Sequence, residues 1–214
     1  MRSIRYLAVI AMALAIAVLV PAAHADQITT LNFSASNGTG PFGTVTLHQV
    51  DANTIQVTVT LTPGNVFANT GAGAGALGFS VDKSFTLASS PTLTTGFSLD
   101  PVPPPYSFAS GIGTYTSVVV CSICGNGTSP PNASTFTFSI TNATGLSFSD
   151  FVNGSGGFLF ASDLGVPVPG TPGTFTTFAA AGGPGVPTPE PGTLALLGAG
   201  VAGLVGLRRK RSAV

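Results

Sequence analysis

The stretch that decides the fold is Thr54-Ile-Gln-Val-Thr-Val-Thr-Leu-Thr62. Ile55, Val57, Val59 and Leu61 point one way, and Gln56, Thr58 and Thr60 the other. A strict period of two marks a strand with one face in the core and one in water. Just upstream, Val45 and Leu47 alternate with Thr44, Thr46 and His48, and Asp51-Ala52-Asn53 is short enough to turn the chain back. The two runs therefore form a hairpin. Downstream, Phe136, Phe138 and Ile140 alternate with Thr135, Thr137, Ser139 and Thr141. Further strands are expected near Ile28–Ser34, Gly78–Val81, Ser84–Leu87, Tyr115–Val120, Leu146–Phe151, Phe158–Ala161 and Thr174–Phe178. Gly, Pro and Asn clusters separate them, and no window offers an amphipathic helix. The fold class is all-β, with an ectodomain resembling a β-sandwich or jelly roll over residues 26–178.

All fifteen Phe residues of the chain lie in that segment, which has neither Trp nor Met. Phe, Val, Leu and Ile must fill the core, and the Phe positions read as internal. Threonine, which suits an exposed strand position, coats the outward faces together with serine. From Ala179 to Thr188 the chain loses all periodicity and reads as an extended Ala/Gly/Pro tether.

Charge narrows the function further. Between Asp26 and Pro189 there is one cation, Lys83, against six aspartates. Binding nucleic acid through a basic face is excluded, and most acid–base chemistry lacks its residues. No enzyme activity and no cofactor are expected. The remaining cations sit at the two ends, and the ends read as addresses.

Arg2 and Arg5 precede Leu7 to Val20, an unbroken apolar run of fourteen. Pro21 breaks the helix, and Ala23-His24-Ala25 offers signal peptidase its small residues, with Asp26 as the new N-terminus. Residues 1–25 are thus expected to be a cleaved signal peptide, since fourteen residues fall short of the roughly 20 that span a bilayer. At the other end, residues 189–214 hold Pro189-Glu190-Pro191, then a Gly/Ala/Leu helix from Thr193 to Leu207, then Arg208, Arg209, Lys210 and Arg211. The helix is of marginal length for a bilayer. Its basic end stays cytoplasmic by the positive-inside rule, which leaves everything upstream outside. Gly198, Ala202 and Gly206 make one smooth helical stripe suited to close helix contact.

This order of signature, helix and basic cluster resembles the PEP-CTERM sorting domain of exported bacterial proteins, also catalogued as an ice-binding-protein C-terminal domain. Pro189, Glu190 and Pro191 fall on the family's motif, and Arg208 to Arg211 on its terminal cluster. The resemblance implies recognition by an exosortase, a membrane transpeptidase-like enzyme that removes the helix and passes the protein toward the cell surface. It covers about an eighth of the chain; a plain anchor with a proline-rich stalk is the competing reading.

Cys121-Ser-Ile-Cys124 is the one reactive-looking motif. A redox pair wants a helix start after a strand, whereas Gly125-Asn-Gly127 and Pro130-Pro131 follow here. A structural zinc site wants four ligands, and His48 is the only further candidate. In an exported protein the plain reading is a disulfide across a tight turn. Two G-x-G-x-x-G matches, from Gly73 and from Gly198, are decoys, because neither opens a helix onto a phosphate. His48 has no matched nucleophile. Asp51, Asp82, Asp100, Asp150 and Asp163 lack calcium-loop spacing, and only converging loops would gather them. Six N-x-[ST] sequons follow from composition.

The leading expectation is a non-enzymatic cell-surface or matrix protein, handled by signal peptidase and exosortase and held by the membrane before processing. Exopolysaccharide is a candidate neighbour. The alternative is a carbohydrate- or ice-binding module that uses Thr-lined sheet faces. Threonine ranks on adjacent strands favour ice, exposed aromatics favour sugar, and a cleft gathering His48 with two aspartates favours an enzyme.

Overall fold

A computed structural model of the chain describes residues 26–182, apart from 36–39, 70–74, 91, 101–103, 109–110, 126–132 and 168–173. The segments expected to be signal peptide, tether beyond Gly182, sorting motif and transmembrane helix lie outside the described residues. In chain order the strands are β1 (Gln27–Leu31), β2 (Phe33–Ser34), β3 (Gly43–Asp51), β4 (Thr54–Leu61), β5 (Val66–Phe67), β6 (Leu77–Val81), β7 (Thr86–Leu87) and β8 (Phe97–Leu99). There follow β9 (Tyr106–Phe108), β10 (Gly113–Tyr115), β11 (Ser117–Cys121), β12 (Thr135–Thr141), β13 (Phe151–Val152), β14 (Phe158–Pro167) and β15 (Thr174–Gly182). Among the described residues the only helical piece is a 3-10 turn, Phe148–Asp150.

The β3–β4 hairpin forms as its alternation requires, with Val45 opposite Val59 and Leu47 opposite Val57. Asp51 caps the turn by accepting from the Asn53 N–H at 2.7 Å. The hairpin is the centre of a five-stranded sheet of order β1-β3-β4-β12-β7. A second sheet runs β2-β15-β14-β6-β11-β8, with β5 and β13 attached at its sides. The inward residues of both sheets share one core, where Phe136 and Phe138 meet Phe67 and Phe79 at centroid distances of 5.1 and 5.6 Å. This is the arrangement of a β-sandwich.

Several strand boundaries differ from expectation for local reasons. Ile28–Ser34 is two strands in different sheets. At Asn32 the chain crosses over, its N–H donating to the Ala180 carbonyl at 3.1 Å. Tyr115–Val120 likewise divides at Thr116, whose N–H donates to Ser80 Oγ at 3.0 Å. Leu146–Phe151 is mostly not strand. The Asp150 carboxylate accepts from both the N–H and the hydroxyl of Ser147 and rolls the segment into the 3-10 turn. The domain boundary at 178 is also too early: β15 continues through Gly182, and Ala179, Ala180 and Ala181 are fully buried against β14 and β2. Their side chains are small because the strand lies between two packed layers. No period of two survives in an all-alanine run, which is why these residues read as a tether.

One layer was not anticipated. The hairpin of β9 and β10 lies over the outer face of the second sheet, where Tyr106, Phe108, Ile112 and Tyr115 bury Val118, Ala161 and Ala180 in a second apolar cluster. Gly78 makes this possible. A Cβ there would stand 2.3 Å from Phe108 Cε2, so only glycine lets the ring lie on the strand. The Phe residues are not all internal either: Phe33 is 42% exposed and packs on Phe158 at 4.8 Å.

Candidate functional site

The outer face of the five-stranded sheet carries a regular array of threonines. Antiparallel register sets Thr30, Thr44, Thr60 and Thr135 side by side on β1, β3, β4 and β12. The next rank is Ile28, Thr46, Thr58 and Thr137. All seven threonines reach solvent, and neither rank carries a charged or aromatic side chain. Thr58 and Thr137 share a hydrogen bond of 3.0 Å between their hydroxyls, and Thr60 and Thr135 one of 3.4 Å. The Thr135 hydroxyl also donates to the Val59 carbonyl at 2.9 Å. These bonds orient the hydroxyls of β4 and β12. The sequence showed the alternation within each strand, but the ranks exist only through pairing across β1, β3, β4 and β12.

A third row, His48, Gln56 and Ser139, closes this face at one end. His48 Nδ1 lies 2.5 Å from Asp26 Oδ1, with both side chains about half exposed. Asp26, the expected mature N-terminus, directly precedes β1. Ala23 and Ala25 lie outside the described residues.

The structure joins Cys121 and Cys124 in a disulfide at the end of β11, with Cα atoms 5.4 Å apart. The bridge serves as an anchor for two loops. Asn69 donates from its N–H to the Gly125 carbonyl at 2.9 Å and from its amide side chain to the Cys121 carbonyl at 3.3 Å. On the other side the Ser122 N–H donates to the Gly96 carbonyl at 2.9 Å. Gly96 has φ +87°, and Ile123 packs on it so closely that a Cβ would clash. Among the described residues of this loop, 121–125, no helix begins.

The aspartates are dispersed. Asp51 holds the β3–β4 turn, Asp100 follows β8, and Asp163 is fully buried in β14 with its N–H donating to the Gly75 carbonyl. Asp150 accepts from Lys83 Nζ at 2.9 Å. Burial alone raises the Asp150 pKa, but the bonds from Lys83 and Ser147 outweigh it and hold the carboxyl below its ordinary value. Among the described residues no three His, Cys, Asp or Glu side chains gather into a metal-binding group. Burial pushes the Tyr115 phenol well above its ordinary range, and burial followed by the charge of Asp100 raises Tyr106. Tyr106 donates to the Asp100 carbonyl at 3.0 Å and Tyr115 to the Phe158 carbonyl at 3.3 Å, both structural contacts of the outer hairpin.

Pro189, Glu190 and Pro191, the stripe of Gly198, Ala202 and Gly206, and the basic cluster Arg208 to Arg211 lie outside the described residues. Comparison with known proteins bears on them directly. No curated protein and no solved structure matches the chain. Residues 187–211 match the family model described as the PEP-CTERM protein-sorting motif, which marks the chain as an exported protein sorted by an exosortase.

Proposed function

We propose that this is a non-enzymatic protein of the cell surface or extracellular matrix, in which the β domain is the cargo and residues 189–214 are the delivery device. The observation that carries this reading is the match over 187–211, which spans both Pro189-Glu190-Pro191 and Arg208 to Arg211. Proline fixes φ and holds the signature extended, so a membrane enzyme can read backbone and the Glu190 charge together. The helix after it serves as a temporary membrane anchor, and Gly198, Ala202 and Gly206 give it a smooth face for docking against another helix. Upstream, signal peptidase frees Asp26. The non-enzymatic reading draws on the reactive side chains of the domain, which are engaged in structural contacts: Cys121 with Cys124, Asp150 with Lys83, His48 with Asp26. A matrix of exopolysaccharide is the setting into which such a hydroxyl-coated domain would be delivered.

Glu190→Ala, expressed in an exosortase-bearing host, tests this reading. The variant should stay in the membrane with its C-terminus intact while the β domain remains folded. Release as efficient as wild type, with the tail removed, overturns the sorting role.

A second reading, a binding module on the Thr-lined face, is favoured by the two threonine ranks in register across four strands.

A further inference from the structure

We infer that the two threonine ranks of the five-stranded sheet form a binding face for crystalline water, that is, for the surface of ice. The inference deepens the second reading above and does not depend on how the tail is sorted.

The argument starts from sheet geometry. Neighbouring strands lie about 4.8 Å apart, and residues i and i+2 on one strand about 6.8 Å apart. Thr44 and Thr46, Thr58 and Thr60, and Thr135 and Thr137 are such i, i+2 pairs, and their strands are direct neighbours. Methyl and hydroxyl groups therefore repeat on a two-dimensional grid. Its two spacings are close to the oxygen repeats on a prism face of hexagonal ice. The twist of a sheet, about 20–25° between neighbouring strands, confines the match to adjacent strands, and the i, i+2 threonine pairs of β3, β4 and β12 are adjacent.

The chemistry of the face selects among occupants. A soluble glycan chain gains little from exposed hydroxyls, because each hydrogen bond replaces one to water. It needs a platform that stacks on the sugar ring, and these ranks hold no aromatic side chain. A charged partner finds no charge to pair with within the two ranks. Ice needs neither: its surface is already ordered, so binding costs no ordering of the ligand, and it is uncharged. The hydroxyls of Thr58 and Thr137, and of Thr60 and Thr135, are already held by each other. Fixing them in place for a lattice thus costs little side-chain entropy. Each threonine also presents a methyl group, which orders water beside it rather than competing for it.

The test uses the exported protein, fluorescently labelled, in a solution from which ice is grown slowly. The wild type should enter the ice several-fold more than a folded control protein of similar size. Thr58→Tyr, at the middle of the face and compatible with a strand, should fall to the control level while keeping the wild-type thermal melt. Thr176→Tyr, an exposed position on the other sheet, should partition like wild type. Exclusion of the wild type from ice, or equal partition of Thr58→Tyr, overturns the inference. In parallel, each protein is sedimented with insoluble neutral polysaccharide. Pelleting that Thr58→Tyr abolishes, without entry into ice, overturns ice as the ligand and keeps the face as a glycan site. Loss of both signals in the wild type removes the binding-module reading altogether.

Discussion

Lys83 Nζ donates to Asp150 Oδ2 at 2.9 Å and to the Gly145 carbonyl at 3.3 Å, so the one cation of the described domain ties the β6–β7 turn to the 3-10 turn. A local bond and a second long-range one support this link: Ser147 presents its N–H to Asp150, and Asp82, beside Lys83, donates its N–H to the Asp150 carbonyl at 3.0 Å. The side chain of Asp150 is only 10% exposed, whereas that of Lys83 is 40% exposed. Solvent therefore screens the charge interaction, and the hydrogen bonds, first from Lys83 and then from Ser147, carry the lowering.

The depressed pKa of Asp150 fixes the sign of one pH effect. Its contribution to stability is fully present above the unfolded-state value, near 3.8, and is lost as pH falls through the lower folded value. Asp150→Asn should lower unfolding free energy at pH 7 by about 1–2 kcal/mol. The gap between variant and wild type should close in acid. Urea titrations at pH 7 and in acid check both parts.

The outer hairpin depends on one missing methyl group. Gly78→Ala places a Cβ against Phe108 and 3.0 Å from Tyr115, so the rings of β9–β10 must shift to admit it. The expected cost is about 1–3 kcal/mol. Tyr106 and Tyr115 are the only tyrosines after the signal segment, and both belong to this layer. Near-ultraviolet circular dichroism of the tyrosines should therefore lose intensity, while the far-ultraviolet strand signal persists.

Non-reducing mass measurement of the exported monomer should find both cysteines blocked by each other. A loop this short constrains the unfolded chain little, so reduction should cost at most about 2 kcal/mol. The domain should stay folded, with changes confined to the segments anchored at Asn69 and Gly96. Global unfolding on reduction, or a dimer that separates on reduction, contradicts this.

The end of the domain is testable by truncation. A chain stopped after Gly182 should melt like the longer protein. One stopped after Phe178 loses three fully buried alanines and their pairing to β14 and β2. The methyl groups alone are worth about 2 kcal/mol, so its thermal midpoint should drop clearly. Equal midpoints would return the boundary to 178.

The candidate face was half legible. Thr58 and Thr60 declare themselves outward by alternation with Val57, Val59 and Leu61, and so do Thr135 and Thr137 beside Phe136 and Phe138. Alternation says which way a side chain points and nothing about its neighbour on the next strand. That Thr60 stands between Thr44 and Thr135 depends on register and strand order. Phe33 shows the same limit from the other side: its residue type suggests the core, but β2 is an edge strand and leaves the ring partly in water.

What the sequence determined by itself is whatever acts over a few residues. Period-two patterning produced the β3–β4 hairpin and β12, and the close spacing of Cys121 and Cys124 set up their bridge. The sorting signal is likewise linear, read as Pro189, Glu190, Pro191 and a following basic cluster, and it matches its family over 187–211 without any folded context. Tertiary structure decided what depends on partners far along the chain. Ala179 to Ala181 became a buried strand because β14 was there to pair with them. The turn at Phe148–Asp150, closed locally by Ser147, is tied into the fold because Lys83 on a distant loop meets Asp150. The threonines became a grid because β12 crossed to β4. A strand has no partner written into its own residues; the hydrogen bonds and buried area that fix it belong to a pair, and only the folded sheet contains both members.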